Sequence, residues 1–342
     1  MRSAERRAPR PRTLRAVLRQ AARRLTAARV AYGHGTTNAR DEAAWLAAWA
    51  LGIPFEALEA RLDRILSEAD AARIDALVAE RIATRKPAAY LTHEAWLGPH
   101  RFYVDERAIV PRSFIAELVR AELAPWLADP SAVRRALDLC TGSGCLAILL
   151  ALLCPRARVD AADISRDALA VARRNVTDYG LARRVKLVAS DLYAGLEGRR
   201  YDLIVTNPPY VRAAVMRTLP AEYRQEPALA LAGGEDGLDL VRRIVEDAPD
   251  HLEPGGLLVV ETGHARERVA RAFPRLALVW AETSGGDDCV FLITREGLLA
   301  AHSRARSRPA TRADASPRPP AARSPARASA AAAARRRRSA RG

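Results

Sequence analysis

Apolar positions in the first 84 residues recur every three to four places. Leu14, Val17, Leu18, Ala21 and Leu25 form one stripe with arginines between them, which predicts an amphipathic helix. Trp45, Leu46 and Trp49 mark a second helix, closed by Gly52 and Pro54. "SEADAARIDALVAERIA" predicts a third. Ser67 stands as its N-cap with Asp70 three residues on, and Ile74, Leu77, Val78 and Ile82 share one face. Lys86-Pro87 reads as the end of this region, so residues 13–87 are expected to form a small helical domain.

The rhythm then changes. In "HRFYVDERAIVPRS" Phe102 and Val104 alternate with polar neighbours, Asp105-Glu106 reads as a turn, and Ile109 and Val110 resume the pattern. That predicts a β-hairpin within a linker over residues 88–112. From residue 135, strands alternate with helices. "RRALDLC", "ARVDAADI", "RVKLVASD", "YDLIVT" and "GGLLVVETG" read as strands. "CLAILLALLC", "SRDALAVARRNVTDYG", "DGLDLVRRIVEDAPDHL" and "ARERVARAF" read as helices, with Ser165 capping the second and Gly180 ending it. "LALVWAE" and "DCVFLIT" follow as an antiparallel edge pair. Such alternation predicts an α/β domain over 113–299, a mostly parallel sheet with helices on both faces.

Composition changes the picture mainly at the ends. The formal net charge is +15, but residues 1–12 carry +4 of it and residues 301–342 carry +11, so the body between them is neutral. A basic nucleic-acid-binding fold is therefore not indicated. Residues 300–342 are Ala, Arg, Ser and Pro in low complexity, and together with 1–12 they are expected to be disordered. No apolar run is long enough for a membrane span. No compact apolar core follows the first arginines, which argues against a secretory signal, although an Arg-rich, acid-poor start shares features with a transit peptide. Cys140, Cys145, Cys154 and Cys289 fit neither a zinc pattern nor a disulfide framework, and read as small core residues in a reducing, cytoplasmic setting. His34, His93, His100, His251, His264 and His302 show no ligand spacing, so no metal is expected and surface or capping roles are assigned to them.

Candidate chemistry gathers at strand ends. Asp138 leads into a turn with Gly142 and Gly144, residues that permit a tight turn and a close ligand. The pattern is neither GxGxxG nor a phosphate loop, which disfavours a diphosphate. Asp163 ends the next strand, 25 residues later, where an acid commonly accepts ribose hydroxyls. Asp191 ends the third and could meet an adenine amino group. Together these describe a nucleoside site beyond the carboxyl ends of a parallel sheet. The fourth strand runs into Asn207-Pro208-Pro209-Tyr210. Two prolines there fix two φ angles and remove two donors, leaving an amide, two stiff carbonyls and a phenol.

This combination resembles the class I, Rossmann-like S-adenosylmethionine-dependent methyltransferases that act on planar nitrogens. More narrowly, the chain resembles the HemK-type protein-(glutamine-N(5)) methyltransferases. "AYLTHEAWLGPHRFYVDERAIVPRS", "LDLCTGSGCLAI", "DISRDALAVARRN", "YDLIVTNPPYV", "LPAEYRQEPALALAGGEDGLDLVRRI" and "GGDDCVFLIT" carry the likeness over roughly 88–296. It is most similar to the bacterial branch that methylates a glutamine of large-subunit ribosomal protein L-three. Cys140 stands where the sister enzymes acting on release factors usually have Gly, and Pro111-Arg112 is followed by Ser113-Phe114 where they usually have Pro-Asp-Thr-Glu. The resemblance implies S-adenosyl-L-methionine as cofactor, held by Asp138, Cys140, Thr141, Gly142, Ser143, Gly144, Asp163, Asp191, Leu192 and Asn207. It implies that Asn207, Pro208, Pro209 and Tyr210 receive the glutamine of a protein substrate, free or in an assembling ribosomal particle. Asn207 Oδ1 and the Pro208 carbonyl can then each accept one amide N–H. Release factors remain the alternative substrate, and a nucleic-acid amino group the more distant one. The Arg-rich tail could add a weak contact to ribosomal RNA.

Overall fold

The computed structural model describes residues 12–306. Three helices open the chain: α1 (Leu14–Ala27), α2 (Ala39–Leu51) and α3 (Glu68–Thr84). Their buried stripes meet in one core of Leu14, Val17, Ala21, Leu25, Leu46, Ile74 and Val78. Ser67 Oγ accepts the Asp70 N–H at 3.0 Å, so the N-cap forms. The reciprocal half of a capping box does not, because Asp70 is a methylene shorter than glutamate and its carboxylate pairs with Arg73. A short helix α4 (Ala88–Thr92) follows Pro87, and Ala88, Ala89 and Tyr90 pack into the same core.

The hairpin lies earlier than its sequence suggests. It pairs β1 (Ala95–Leu97) with β2 (His100–Phe102) around Gly98-Pro99. Gly98 takes a left-handed φ of 62°, which a side chain would resist. Asp105 does open a turn, with Ala108 N donating to its carbonyl at 3.1 Å. The chain beyond does not pair back. Ile109 and Arg112 instead reach the sheet's binding edge.

A helix α5 (Ile115–Arg120) leads into the α/β unit. Its strands and helices run β3 (Arg135–Leu139), α6 (Cys145–Leu153), β4 (Arg158–Asp163), α7 (Arg166–Asp178), β5 (Val185–Ala189), β6 (Tyr201–Thr206), the one-turn α8 (Ala213–Met216), α9 (Asp239–His251), β7 (Leu252–Glu261), α10 (Arg266–Ala272), β8 (Val279–Thr283), β9 (Gly286–Thr294) and α11 (Arg295–Arg306). The sheet order is β5-β4-β3-β6-β7-β9-β8. β3 to β7 are parallel, while β9 runs antiparallel between β7 and the edge strand β8. Leu203 and Val205 point into the core under α5 and α6, and Ile204 into the core under α9 and α11. A strand buried on both faces reads as a continuous apolar run, which is how Leu203-Ile204-Val205 appears.

The last helix crosses the expected start of the tail. α11 runs to Arg306, anchored by Leu298, which is fully buried against the β7 face. Ala and Arg are good helix formers, so a composition that cannot build a core can still extend a helix already anchored to one. The remainder of both basic ends lies outside the described residues. Among the described residues, no helix is long and apolar enough to cross a membrane.

Candidate active site

The winding of the sheet reverses between β3 and β6, and ligands of such sheets bind outside the strand ends at that reversal. A cavity of about 530 Å³ lies there. Its walls take in Cys140 and Gly142 after β3, Asp163 to Ser165 after β4, Asp191 and Leu192 after β5, and Asn207 to Tyr210 after β6.

Only part of the first turn faces this cavity. Asp138 is 1% exposed, and its Oδ2 accepts Thr141 Oγ1 at 2.5 Å and Ala147 N at 2.9 Å. Burial pushes its carboxyl up to about 7 against those two bonds. Asp138 and Thr141 therefore brace the turn onto the start of α6. Ser143 is buried, and its carbonyl accepts Asn175 Nδ2 at 2.9 Å. At Gly144 a Cβ would lie 3.0 Å from Ala172 Cβ, so the glycine lets α6 and α7 close together. Cys140 and Gly142 reach the cavity, both with left-handed φ, 61° and 55°.

Asp163 lines the cavity. Its oxygens accept Gly142 N and Ser165 N, each at 2.8 Å. Burial raises its carboxyl, opposed by these backbone bonds. Each oxygen keeps a further lone pair for a hydroxyl donor. Ile164 beside it is 53% exposed, an unusual position for a branched apolar side chain. After β5, Ser190 Oγ donates to the Leu192 carbonyl at 2.6 Å and holds that residue at a left-handed φ of 49°. Asp191 sits at the rim, ion-paired with Arg243 at 3.0 Å.

β6 is tied to β3 by Thr206 Oγ1, which donates to the Leu139 carbonyl at 2.7 Å. Asn207 follows directly. Its Nδ2 donates to the Arg112 carbonyl at 3.2 Å, and among the described residues no donor reaches its Oδ1. The Tyr210 hydroxyl donates to Glu261 Oε1 at 3.4 Å, and its ring lies against Gly263, where a Cβ would come within 2.9 Å of the ring edge. Gly233 and Gly237 let the loop before α9 run directly beneath Tyr210. A Cβ on Gly233 would stand 2.6 Å from Tyr210 Cα, and one on Gly237 would crowd the Tyr210 carbonyl.

Several residues around the site escape motif reading. Glu261 is 2% exposed at the end of β7, and its Oε2 accepts Ser113 Oγ at 2.6 Å and Phe114 N at 2.8 Å. Burial pushes its carboxyl up to about 7. The signal was present, since Glu261 is another acid ending a strand at the same sheet edge. Arg112 forms a two-pronged pair with Glu226, at 2.6 and 2.7 Å. No local spacing announces that pair, because the partners are 114 residues apart. His34, expected at the surface, is 3% exposed and wedged against Tyr223 at 4.3 Å between ring centroids. The helical domain meets this region again where Arg81 and Arg85 reach Glu222, at 3.4 and 3.3 Å.

Residues 122–222 match the Methyltransferase small domain family, and residues 16–92 match the PrmC N-terminal domain. The chain is 54% identical over 286 residues to the ribosomal protein uL3 glutamine methyltransferase of Bordetella pertussis, covering 84% of this chain and 96% of that one. It is 52% identical over 287 residues to the protein of the same name from Neisseria meningitidis serogroup A, covering 84% and 94%. The counterpart in Burkholderia pseudomallei is 52% identical over 295 residues, covering 84% and 96%. Among solved structures, the Thermus thermophilus 16S rRNA N2 G1207 methyltransferase in complex with AdoMet and guanosine superposes with a TM-score of 0.41 at 19% identity, covering 59% of this chain and 49% of that one. With more than half of the aligned residues identical along nearly the whole length of the Bordetella protein, the chain belongs to the family of ribosomal protein uL3 glutamine methyltransferases.

Proposed function

We propose that the chain methylates the side-chain amide nitrogen of one glutamine in ribosomal protein uL3, giving N(5)-methylglutamine, with S-adenosyl-L-methionine and the glutamine in adjoining halves of the 530 Å³ cavity. The observation that carries the reading is the unpartnered Oδ1 of Asn207, set beside Pro208 at the meeting point of those halves.

The residues on the β4 side suit the cofactor. The Asp163 carboxylate offers acceptors for ribose hydroxyls, and the half-exposed Ile164 beside it offers an apolar face for the adenine. Leu192 lines the same cavity. Cys140 and Gly142 bring backbone close to the ligand, while Asp138, Thr141, Ser143 and Gly144 hold that backbone in place from behind. When bound, S-adenosyl-L-methionine supplies an electrophilic methyl group on a positively charged sulfur.

The other half must solve a problem of nucleophilicity. The amide nitrogen's lone pair is delocalised into the carbonyl, a conjugation whose strength shows in a rotation barrier of roughly 18–20 kcal/mol. Asn207 Oδ1 and the Pro208 carbonyl each accept one N–H of the substrate amide. Both acceptors are neutral and need no ionisation. As the nitrogen takes up positive charge, both hydrogen bonds strengthen, so they bind the transition state better than the ground state. The prolines hold the acceptors still and add no competing donor. Tyr210, fixed by Glu261 and Gly263, closes the wall beside the amide. With no free carboxylate among the four motif residues, the proton leaves to water after transfer.

The partner is free uL3 or uL3 in an assembling ribosomal particle, met in the cytoplasm, a setting supported by four unpaired cysteines. The basic ends add a salt-sensitive attraction to ribosomal RNA. The test is incubation of the purified chain with labelled cofactor and, separately, uL3, a release factor and ribosomal RNA, followed by peptide mapping. Label on a single uL3 glutamine is expected. Label only on the release factor moves the substrate, and label only on RNA refutes the reading.

A further inference from the structure

The proposed chemistry depends on which way one amide points. Asn207 could present either its oxygen or its NH2 group to the substrate. Its Nδ2 is engaged by the Arg112 carbonyl at 3.2 Å, and that bond turns Oδ1 toward the cavity. The question then becomes what holds Arg112.

One carboxylate does so at two points. Glu226 accepts Arg112 Nη1 and Nη2 at 2.6 and 2.7 Å, and it accepts the Val110 backbone N–H at 3.0 Å. Both the side chain of Arg112 and the backbone leading into it are therefore pinned from one site. Glu226 is 4% exposed. Burial alone would raise its carboxyl, yet His34 and Arg112 hold it down at about 2, so it stays an anion at working pH. Its Oε2 lies 3.4 Å from His34 Nε2, a close contact out of hydrogen-bond alignment. His34 belongs to the segment between α1 and α2. Glu226 belongs to the segment after α8 that lines the cavity through Tyr223 and Pro227.

We infer that Glu226, acting through Arg112, is the positioning residue that aims the Asn207 amide, and that its contact with His34 ties this aim to the docked helical domain. The inference rests on the reading of Asn207 as the acceptor for the substrate amide. Glu226 touches no substrate in this scheme. Its effect passes through two hydrogen bonds in series, and small displacements at a reacting centre are costly.

Glu226→Gln keeps the size but removes the charge. Arg112→Lys keeps the charge but loses the two-pronged geometry. In both variants kcat on uL3 should fall on the order of 100-fold, the loss expected of about 1 Å of misplacement, with cofactor Kd within about threefold and KM moved less than kcat. A merely structural ion pair would lower the melting temperature and leave kcat of the folded protein within about twofold, and that result overturns the inference. So does a rise in KM alone. If neither variant folds, NMR of the wild-type chain decides. The Asn207 side-chain amide, identified by its loss in Asn207→Asp, should show one slowly exchanging proton, and two freely exchanging protons would contradict the assignment. A wild-type chain that binds cofactor but methylates no glutamine counts against the proposed function instead, and the NMR measurement still settles the orientation.

Discussion

Glu261 offers a prediction in which the structure sets both sign and size. Its side chain is 2% exposed, and burial pushes its carboxyl up to about 7 from an ordinary 4.5. A raised carboxyl means that the folded state holds its proton more tightly than the unfolded chain. Between pH 4.5 and 7 the unfolded chain has already released that proton, so stability falls as pH rises through this window. The move from 4.5 to about 7 corresponds to about 3 kcal/mol, complete above pH ~7. Glu261→Gln removes the titration and keeps one oxygen to accept Ser113 Oγ and Phe114 N. Urea unfolding of both proteins at pH 5 and at pH 8 measures the effect, because titrations elsewhere cancel in the comparison. The wild type should lose about 2.5 kcal/mol more than the variant between these pH values, the remainder of the shift lying outside that range. Equal losses, or a larger loss in the variant, would refute the argument that burial dominates at this carboxylate.

Other outcomes follow from the same geometry. Asn207→Ala removes one of the two acceptors proposed for the substrate amide, so kcat should fall by roughly 10²–10³-fold while calorimetry finds cofactor Kd little changed; undiminished turnover sinks the role. Asp163→Asn replaces the charged acceptor proposed for the cofactor ribose, and cofactor affinity should weaken by about 10-fold or more, the worth of a charge-assisted hydrogen bond, with kcat at saturating cofactor nearly retained. Arg81→Met leaves Glu42 and Glu222 as buried carboxylates without their shared partner and should cost about 3–5 kcal/mol in denaturant unfolding.

How much of this was legible depends on how local each cause is. The parallel sheet could be read because β6 and β7 are buried on both faces and appear as Leu203-Ile204-Val205 and Leu257 to Val260. The first helix could be read because Leu14, Val17, Ala21 and Leu25 face one core. The hairpin was harder. Its strands are three residues each, too short to establish a two-residue rhythm. The alternation around Phe102 and Val104 has another source: Phe102 packs in the core of the α/β unit and Val104 in the helical core. Burial in two different cores imitates the pattern of a strand.

The site divides in the same way. Strand periodicity places Asp138, Asp163 and Asp191 near one sheet edge, and the stiffness of Asn207-Pro208-Pro209-Tyr210 is a property of the residues themselves. Those features belong to the sequence alone, because backbone restriction and local burial pattern act within a few residues. Which acid faces the cavity does not. Asp138 turns inward to brace α6 and Asp163 opens on the cavity, although both end strands. Nor could spacing reveal that Glu226 reaches Arg112 across 114 residues, or that His34 is buried beside them. Those arrangements exist only once the helical domain, the segment after α8 and the sheet have packed together. Their charges are then held by burial and by partners from separate parts of the chain.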